Sequence, residues 1–170
     1  MRRHPALVLA ATALVLSGCA SGAGDDARRS GPGSAPGRLV SDSEAPDPGP
    51  LADAGVPPGR CGMILWTLAG ASAVPVFRSV DDGTADMQVD GSAVTLSLTG
   101  RGGEDRLGIP AVQRFEGRLD SGEPITVTVR GSWGRAFPAG AYVERASLSL
   151  TGADGWTRAL PTAGIAGCRP

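Results

Sequence analysis

The chain has 170 residues, the length of one ordinary domain, and its 16 basic and 17 acidic side chains almost cancel. A chain with this balance lacks the excess of positive charge with which proteins attract nucleic acid, so we expect no nucleic-acid partner.

The first eighteen residues have the organisation of a secretory signal peptide. Arg2 and Arg3 precede an apolar run at residues 6–16, which at about 1.5 Å per residue is too short to span a bilayer. The run ends in Leu16-Ser17-Gly18-Cys19, which resembles the lipobox of bacterial lipoproteins. That resemblance implies cleavage before Cys19 and attachment of diacylglycerol and palmitate to this cysteine.

The same resemblance predicts where the protein resides. Two or three acyl chains on Cys19 anchor a protein stably, whereas a single chain binds a membrane only marginally. Ala20 is not the aspartate that resembles an inner-membrane retention signal. We therefore expect a lipid-anchored envelope protein, with the outer membrane favoured and the folded domain in the periplasm or at the cell surface.

Residues 19–59 are predicted to form a lipidated, disordered tether. Residues 20–59 contain seven prolines, eight glycines and no aromatic residue, so they bury too little apolar surface to offset the entropy of ordering.

Residues 60–170 are predicted to form an all-β domain. Short apolar runs with a period of two alternate with Gly, Pro and Asp turns, and no helical periodicity is sustained. The clearest hairpin signal is Asp90-Gly91 between two alternating runs, because both central residues of a type I′ turn need positive φ. The predicted strands cover residues 63–68, 75–80, 87–89, 94–98, 112–119, 125–130, 142–150 and 156–160. Their number predicts a small antiparallel barrel or sandwich of about seven to eight strands.

With Cys19 assigned to lipid, Cys61 and Cys168 remain, one at each end of the predicted domain. Disulfides form in the oxidising compartments outside the cytoplasm, so we expect these two cysteines to be bonded. A redox-active or metal-binding pair is the alternative, although no CxxC spacing supports it.

The sequence excludes several kinds of catalytic site. The one histidine, His4, leaves with the signal peptide, and the chain has no lysine. A serine or cysteine nucleophile with a histidine base, a His-ligated zinc and a Schiff-base lysine all need residues that are missing. We predict no catalytic residues, no metal site and no cofactor.

Paired carboxylates could still act as acid and base. The candidates are Asp81, Asp82, Asp86, Asp90, Glu104, Asp105, Glu116, Asp120, Glu123, Glu144 and Asp154. The first three crowd around Gly83, which suggests Ca²⁺, but the spacing does not match an EF-hand loop and favours a solvated turn.

The most site-like stretch is residues 130–137, where Arg130, Trp133, Arg135 and Phe137 alternate with small residues. Arginines and aromatic rings in this arrangement are typical of surfaces that bind proteins or glycans, so we predict a possible binding loop here.

Core packing is the alternative for the tryptophans. Trp133 continues by twos the inward positions of the strand before it, and is therefore favoured as a core residue. We expect core roles for Trp66 and Trp156 as well.

A lipid-tethered, disulfide-closed β domain of this size resembles the envelope lipoproteins that inhibit c-type lysozyme. The family's lysine-containing loop has no counterpart here, so no residue role is carried over. We expect a non-enzymatic domain that binds an envelope protein or a cell-wall component such as peptidoglycan. The alternatives are a lysozyme- or protease-inhibitor module and a carboxylate-dependent glycan enzyme.

Overall fold

The computed structural model describes residues 45–170, and every regular element among them is a β-strand. No helix in this part of the chain is long and apolar enough to cross a membrane. The predicted signal peptide, Cys19 and the first part of the predicted tether lie outside the described residues.

Nine strands follow one another along the described part of the chain. They are β1 (Pro48–Gly49), β2 (Arg60–Ala69), β3 (Ser72–Val80), β4 (Thr84–Val89), β5 (Ser92–Arg106), β6 (Ile109–Arg118), β7 (Pro124–Phe137), β8 (Gly140–Thr151) and β9 (Thr157–Arg169).

The strands β2 to β9 form a closed antiparallel barrel. Each strand pairs with its neighbour in sequence, and β9 returns to pair with β2, so that eight strands close the circle. The short β1 pairs with β4 from outside this circle. The prediction of an antiparallel barrel or sandwich is thus confirmed, and the fold is the barrel.

Apolar side chains fill the barrel interior. Inward-facing residues alternate along the strands with outward-facing ones, as the period of two predicts. Phe77 and Phe115 meet edge to face across the interior, with their ring centroids 5.6 Å apart. The largest fully buried side chains are Phe77, Phe115, Met63, Leu65, Met87, Leu96, Ile109, Ile125, Leu148 and Leu150. Eight strands leave just enough space for such a packed core.

The disulfide between Cys61 and Cys168 is confirmed. The two cysteines are direct partners in the pairing of β2 with β9, and their Cα atoms lie 3.9 Å apart. The bond therefore links the first and last strands of the barrel, where the circle closes.

The predicted hairpin at Asp90-Gly91 is confirmed too. Both residues have positive φ, 51° at Asp90 and 81° at Gly91, as a type I′ turn needs.

The sequence places the end of the tether at residue 59, whereas the chain already packs on the barrel from residue 45. The N-terminal segment, residues 45–49, is held between β9 and β4. The guanidinium of Arg158 donates hydrogen bonds to the carbonyls of Ala45 and Pro46, both at 3.2 Å. The amide of Asp90 donates to the carbonyl of Asp47 at 2.8 Å. Hydrogen bonds to backbone carbonyls fix this segment even though it buries little apolar surface. Its prolines leave no backbone N–H without a partner, because proline has none.

Candidate functional site

The predicted binding loop is part of a strand. Arg130, Trp133, Arg135 and Phe137 all lie in β7, and the pairing of β7 with β8 continues to its last residue. The expectation of a loop is wrong because β8 pairs along this stretch and keeps it extended, although glycines interrupt it at 131 and 134.

These four residues do not form one surface. Arg130 and Arg135 are exposed, whereas Trp133 and Phe137 are half-buried. Trp133 packs against the core cluster, and its indole Nε1 donates a hydrogen bond to the carbonyl of Glu104 at 2.9 Å. These contacts favour the packing interpretation of Trp133.

Arg106 completes the surroundings of this indole. Its guanidinium carbon lies 5.6 Å from the Trp133 ring centroid, a cation–π distance. Arg106 also donates to the Glu104 carboxylate and to the carbonyl of Gly134, each at 2.9 Å. Through Arg106, the end of β5 contacts both Trp133 and Gly134 of β7.

The other two tryptophans differ from each other. Trp66 is half-buried on the outer side of β2, whereas Trp156 lies in the turn between β8 and β9 with 58% of its surface exposed. The expected core role is wrong for both: Trp66 lies on the outward-facing side of β2, and Trp156 lies in the turn before the first residue of β9.

The aspartates around Gly83 contact arginines. Asp81 and Asp82 both pair with Arg60, at 2.6 and 3.2 Å, and Asp86 pairs with Arg78 at 2.6 Å. Within residues 45–170 no group of three potential metal ligands is close enough together to hold a metal ion.

Asp82 has a clearly lowered pKa. The hydroxyl and the amide of Thr84 both donate to its Oδ1, at 2.7 and 2.9 Å, and these bonds lower the pKa of Asp82 below its ordinary value. A general acid needs the opposite shift, so this group is arranged as a turn-stabilising residue.

The outer face of β2 is the unusual surface of the barrel. Met63 and Leu65 point inward and are fully buried, which places Ile64, Trp66 and Leu68 on the outside. Leu68 has 74% of its surface exposed. The outward-facing side of a barrel strand is expected to be polar in water, whereas β2 is apolar on both its inward and its outward face.

The neighbouring strand continues this apolar surface. Ile165 of β9 lies directly opposite Ile64, and Ala163 lies opposite Trp66. On the far side of β9, Tyr142 of β8 lies opposite Ile165. Directly paired residues share a face of the sheet, so these side chains form one continuous surface. We call it the apolar band; it consists of Ile64, Trp66, Leu68, Pro161, Ala163, Ile165 and Tyr142.

The apolar band is concave at both ends. One hollow, of about 240 Å³, is lined by Ile64, Ile165 and Phe137 and has Gly62 and Gly167 among its lining residues. These two glycines are direct partners, and a Cβ on either would come closer than 3.0 Å to a backbone carbonyl oxygen.

The second hollow, of about 550 Å³, lies at the other end of the apolar band. Its walls include Trp66, Leu68 and Pro161. It opens because β2 pairs with β9 only as far as Trp66, while β2 itself runs on to Ala69. Thr67 still donates a hydrogen bond to the Pro161 carbonyl across this opening, at 3.1 Å.

Phe137 of the predicted binding loop contacts the apolar band. Its ring packs against Tyr142, with centroids 5.1 Å apart. Sequence reasoning missed the apolar band, although a signal was present. Residues 63–68 are apolar without the alternation seen at residues 125–130, and such a run is expected where a strand is covered on both faces.

Compared with protein-family models, with curated proteins and with solved structures, the chain shows no significant similarity to any of them.

Proposed function

We propose that this chain is a membrane-anchored, non-enzymatic envelope lipoprotein whose barrel binds another envelope protein through the apolar band. The observation that carries the proposal is the row of Ile64, Ile165 and Tyr142, which lie directly opposite one another on the outside of three neighbouring strands.

The filled interior directs binding to the outside. Barrels that carry a small molecule enclose it between their strands, whereas here Phe77, Phe115 and their neighbours occupy that space. The outer surface and the ends of the barrel are what remains for recognition.

The composition of the apolar band suits a protein partner. Trp and Tyr are the side chains that most often dominate the free energy of protein association, and Trp66 and Tyr142 lie near its two ends. Its hollows can receive side chains that project from a partner. A membrane surface would instead be met by side chains that protrude into it.

The non-enzymatic part of the proposal is supported by how the carboxylates are used. Asp81, Asp82 and Asp86 engage Arg60 and Arg78. Turnover of peptidoglycan fragments by the purified protein would overturn this part of the proposal.

The binding surface can be tested by capture from the native envelope with the full-length protein. Leu68→Ser combined with Ile165→Ser should reduce capture of a specific partner at least tenfold. Leu107→Ser is the matched control, because Leu107 is also exposed (45%) but lies at the β5–β6 turn, outside the apolar band. Undiminished capture by the double variant, or binding to lipid vesicles alone, would refute the assignment. If the partner is a lysozyme or a protease, an inhibition assay shows whether binding blocks its activity.

The anchor is tested separately. Metabolic labelling with a palmitate analogue should mark the wild-type protein and not the Cys19→Ala variant. Unlabelled wild-type protein that retains its first eighteen residues would contradict the predicted lipoprotein.

A further inference from the structure

Three arginines lie on the outer surface of β6, β7 and β8, beside the apolar band, which they approach where Ser147 of β8 pairs with Pro161. Arg114 lies between two buried residues and Arg130 follows the buried Val129, so both exposed side chains point outward. Arg145 is directly paired with Ser132, the next outward residue after Arg130, and is exposed. We call these three residues the arginine row.

The strand register places the row on a diagonal. Arg114 lies opposite Thr128, which is two residues before Arg130. Arg145 lies opposite Ser132, which is two residues after Arg130. Diagonal neighbours in antiparallel sheets are about 7 to 8 Å apart, so the backbone positions of the three arginines follow a line of roughly 15 Å.

These charges are weakly compensated. Neither Arg130 nor Arg145 forms an ion pair with any of residues 45–170, and Arg114 has only a 3.5 Å contact with Glu116. By contrast, Arg60 and Arg78 lie within 2.6 Å of carboxylates. In a domain whose total charge is nearly balanced, an uncompensated row is a local feature that attracts anions.

Most side chains beside the row are polar and small, and the half-buried Val112, directly opposite Arg130, is the apolar exception. Thr128, Ser132 and Ser147 point to the same side, and Gly100 lies opposite Arg114 on β5. The hydroxyl groups can donate and accept hydrogen bonds next to each guanidinium. This surface lacks the protruding apolar side chains with which a protein would enter a bilayer.

We propose that the arginine row binds a linear anionic glycan. Its regular spacing fits a polymer that carries repeated negative charges, and each guanidinium can hold a carboxylate or phosphate group with two parallel hydrogen bonds. The flanking hydroxyls fit the hydroxyls of the sugar units. None of the three arginines belongs to the proposed protein-binding surface, which is centred on β2 and β9 and adjoins the row where Ser147 pairs with Pro161.

The test measures binding of the full-length protein to polygalacturonate, which carries one carboxylate per sugar, and to neutral dextran. We expect binding to polygalacturonate alone, and weaker binding as added salt screens the exposed charges. Arg130→Gln should lower the affinity about two- to fivefold, and Arg114→Gln, Arg130→Gln and Arg145→Gln together more than tenfold. Arg101→Gln is the matched control, because Arg101 is exposed but lies beyond the row and pairs with Asp105.

Several results would overturn the proposal. They are equal binding by the triple variant, an equal loss with Arg101→Gln, no binding of polygalacturonate at low salt, or preference for phosphatidylglycerol vesicles over the glycan. Leu68→Ser with Ile165→Ser should leave glycan binding unchanged, so failure of this proposal and failure of the protein-binding proposal are distinguishable.

Discussion

Removing the disulfide should destabilise the barrel more than any other change of two side chains of comparable size. Cys61 and Cys168 are separated by 107 residues in sequence and are direct partners between β2 and β9. On the chain-entropy relation, opening a loop of this length costs about 5 kcal/mol at room temperature. Small domains have a total stability of roughly 5 to 15 kcal/mol, so the loss is a large fraction of the whole.

Equilibrium denaturation of Cys61→Ala with Cys168→Ala measures this loss. The midpoint should fall, and the m-value should rise because the unfolded chain without its cross-link expands further. A matched control removes another directly opposed pair, Thr151→Ala with Thr157→Ala, whose hydroxyls are 2.9 Å apart at the β8–β9 hairpin. That pair spans a short loop and should contribute less than about 1 kcal/mol. A cysteine double variant that unfolds within about 1 kcal/mol of the wild type, with an unchanged m-value, would refute the reasoning.

Three further predictions concern single residues. Trp133→Ala should cost about 2 to 4 kcal/mol in thermal unfolding, whereas the exposed Trp156→Ala should cost less than about 0.5 kcal/mol; equal effects would contradict the packing role of Trp133. Thr84→Ala should raise the pKa of Asp82 in an NMR titration. Because the pKa of Asp82 is lowered in the folded state, ionised Asp82 stabilises the fold above the ordinary pKa of 3.8, and this stabilisation is lost as the pH falls through the folded pKa. An unchanged pKa in Thr84→Ala would show that the Thr84 hydroxyl is not the cause of the shift. Arg158→Gln should speed amide hydrogen exchange in the N-terminal segment. Unchanged exchange would show that the hydrogen bonds from Arg158 to the carbonyls of Ala45 and Pro46 do not fix this segment.

The fold was largely predictable because its signals are local. Alternation at Ile125, Val127 and Val129 sets which side chains point inward, and the Asp90-Gly91 turn sets one hairpin. The disulfide was predicted because the lipobox at Cys19 indicates export to an oxidising compartment, in which the two other cysteines, Cys61 and Cys168, are expected to bond. Hydrophobic periodicity cannot predict that the barrel closes, because closure depends on the pairing of β9 with β2, which joins residues about a hundred positions apart.

Two of the wrong predictions failed for reasons of local geometry. The stretch with Arg130 and Phe137 reads as a loop because Gly and Ser interrupt it, yet β8 pairs along it and keeps it extended. Trp156 reads as the start of an apolar strand, and the turn before β9 leaves it outside. The pairing with β8 decided the first outcome, and the turn at Asp154-Gly155 decided the second.

The apolar band and the arginine row were hidden for a related reason. Each is assembled across strands by register, so its members are scattered in sequence: Ile64 meets Ile165, and Arg114 lies diagonal to Arg130. The band still left one trace, because β2 is apolar at consecutive positions where an eight-stranded barrel can bury only every second one. Because the interior is already filled, it cannot accommodate the other, outward-facing apolar side chains of β2. The surplus apolar side chains must therefore either stay exposed at a cost in solubility or be covered by a partner, and this is the physical reason to seek that partner at the junction of β2 and β9.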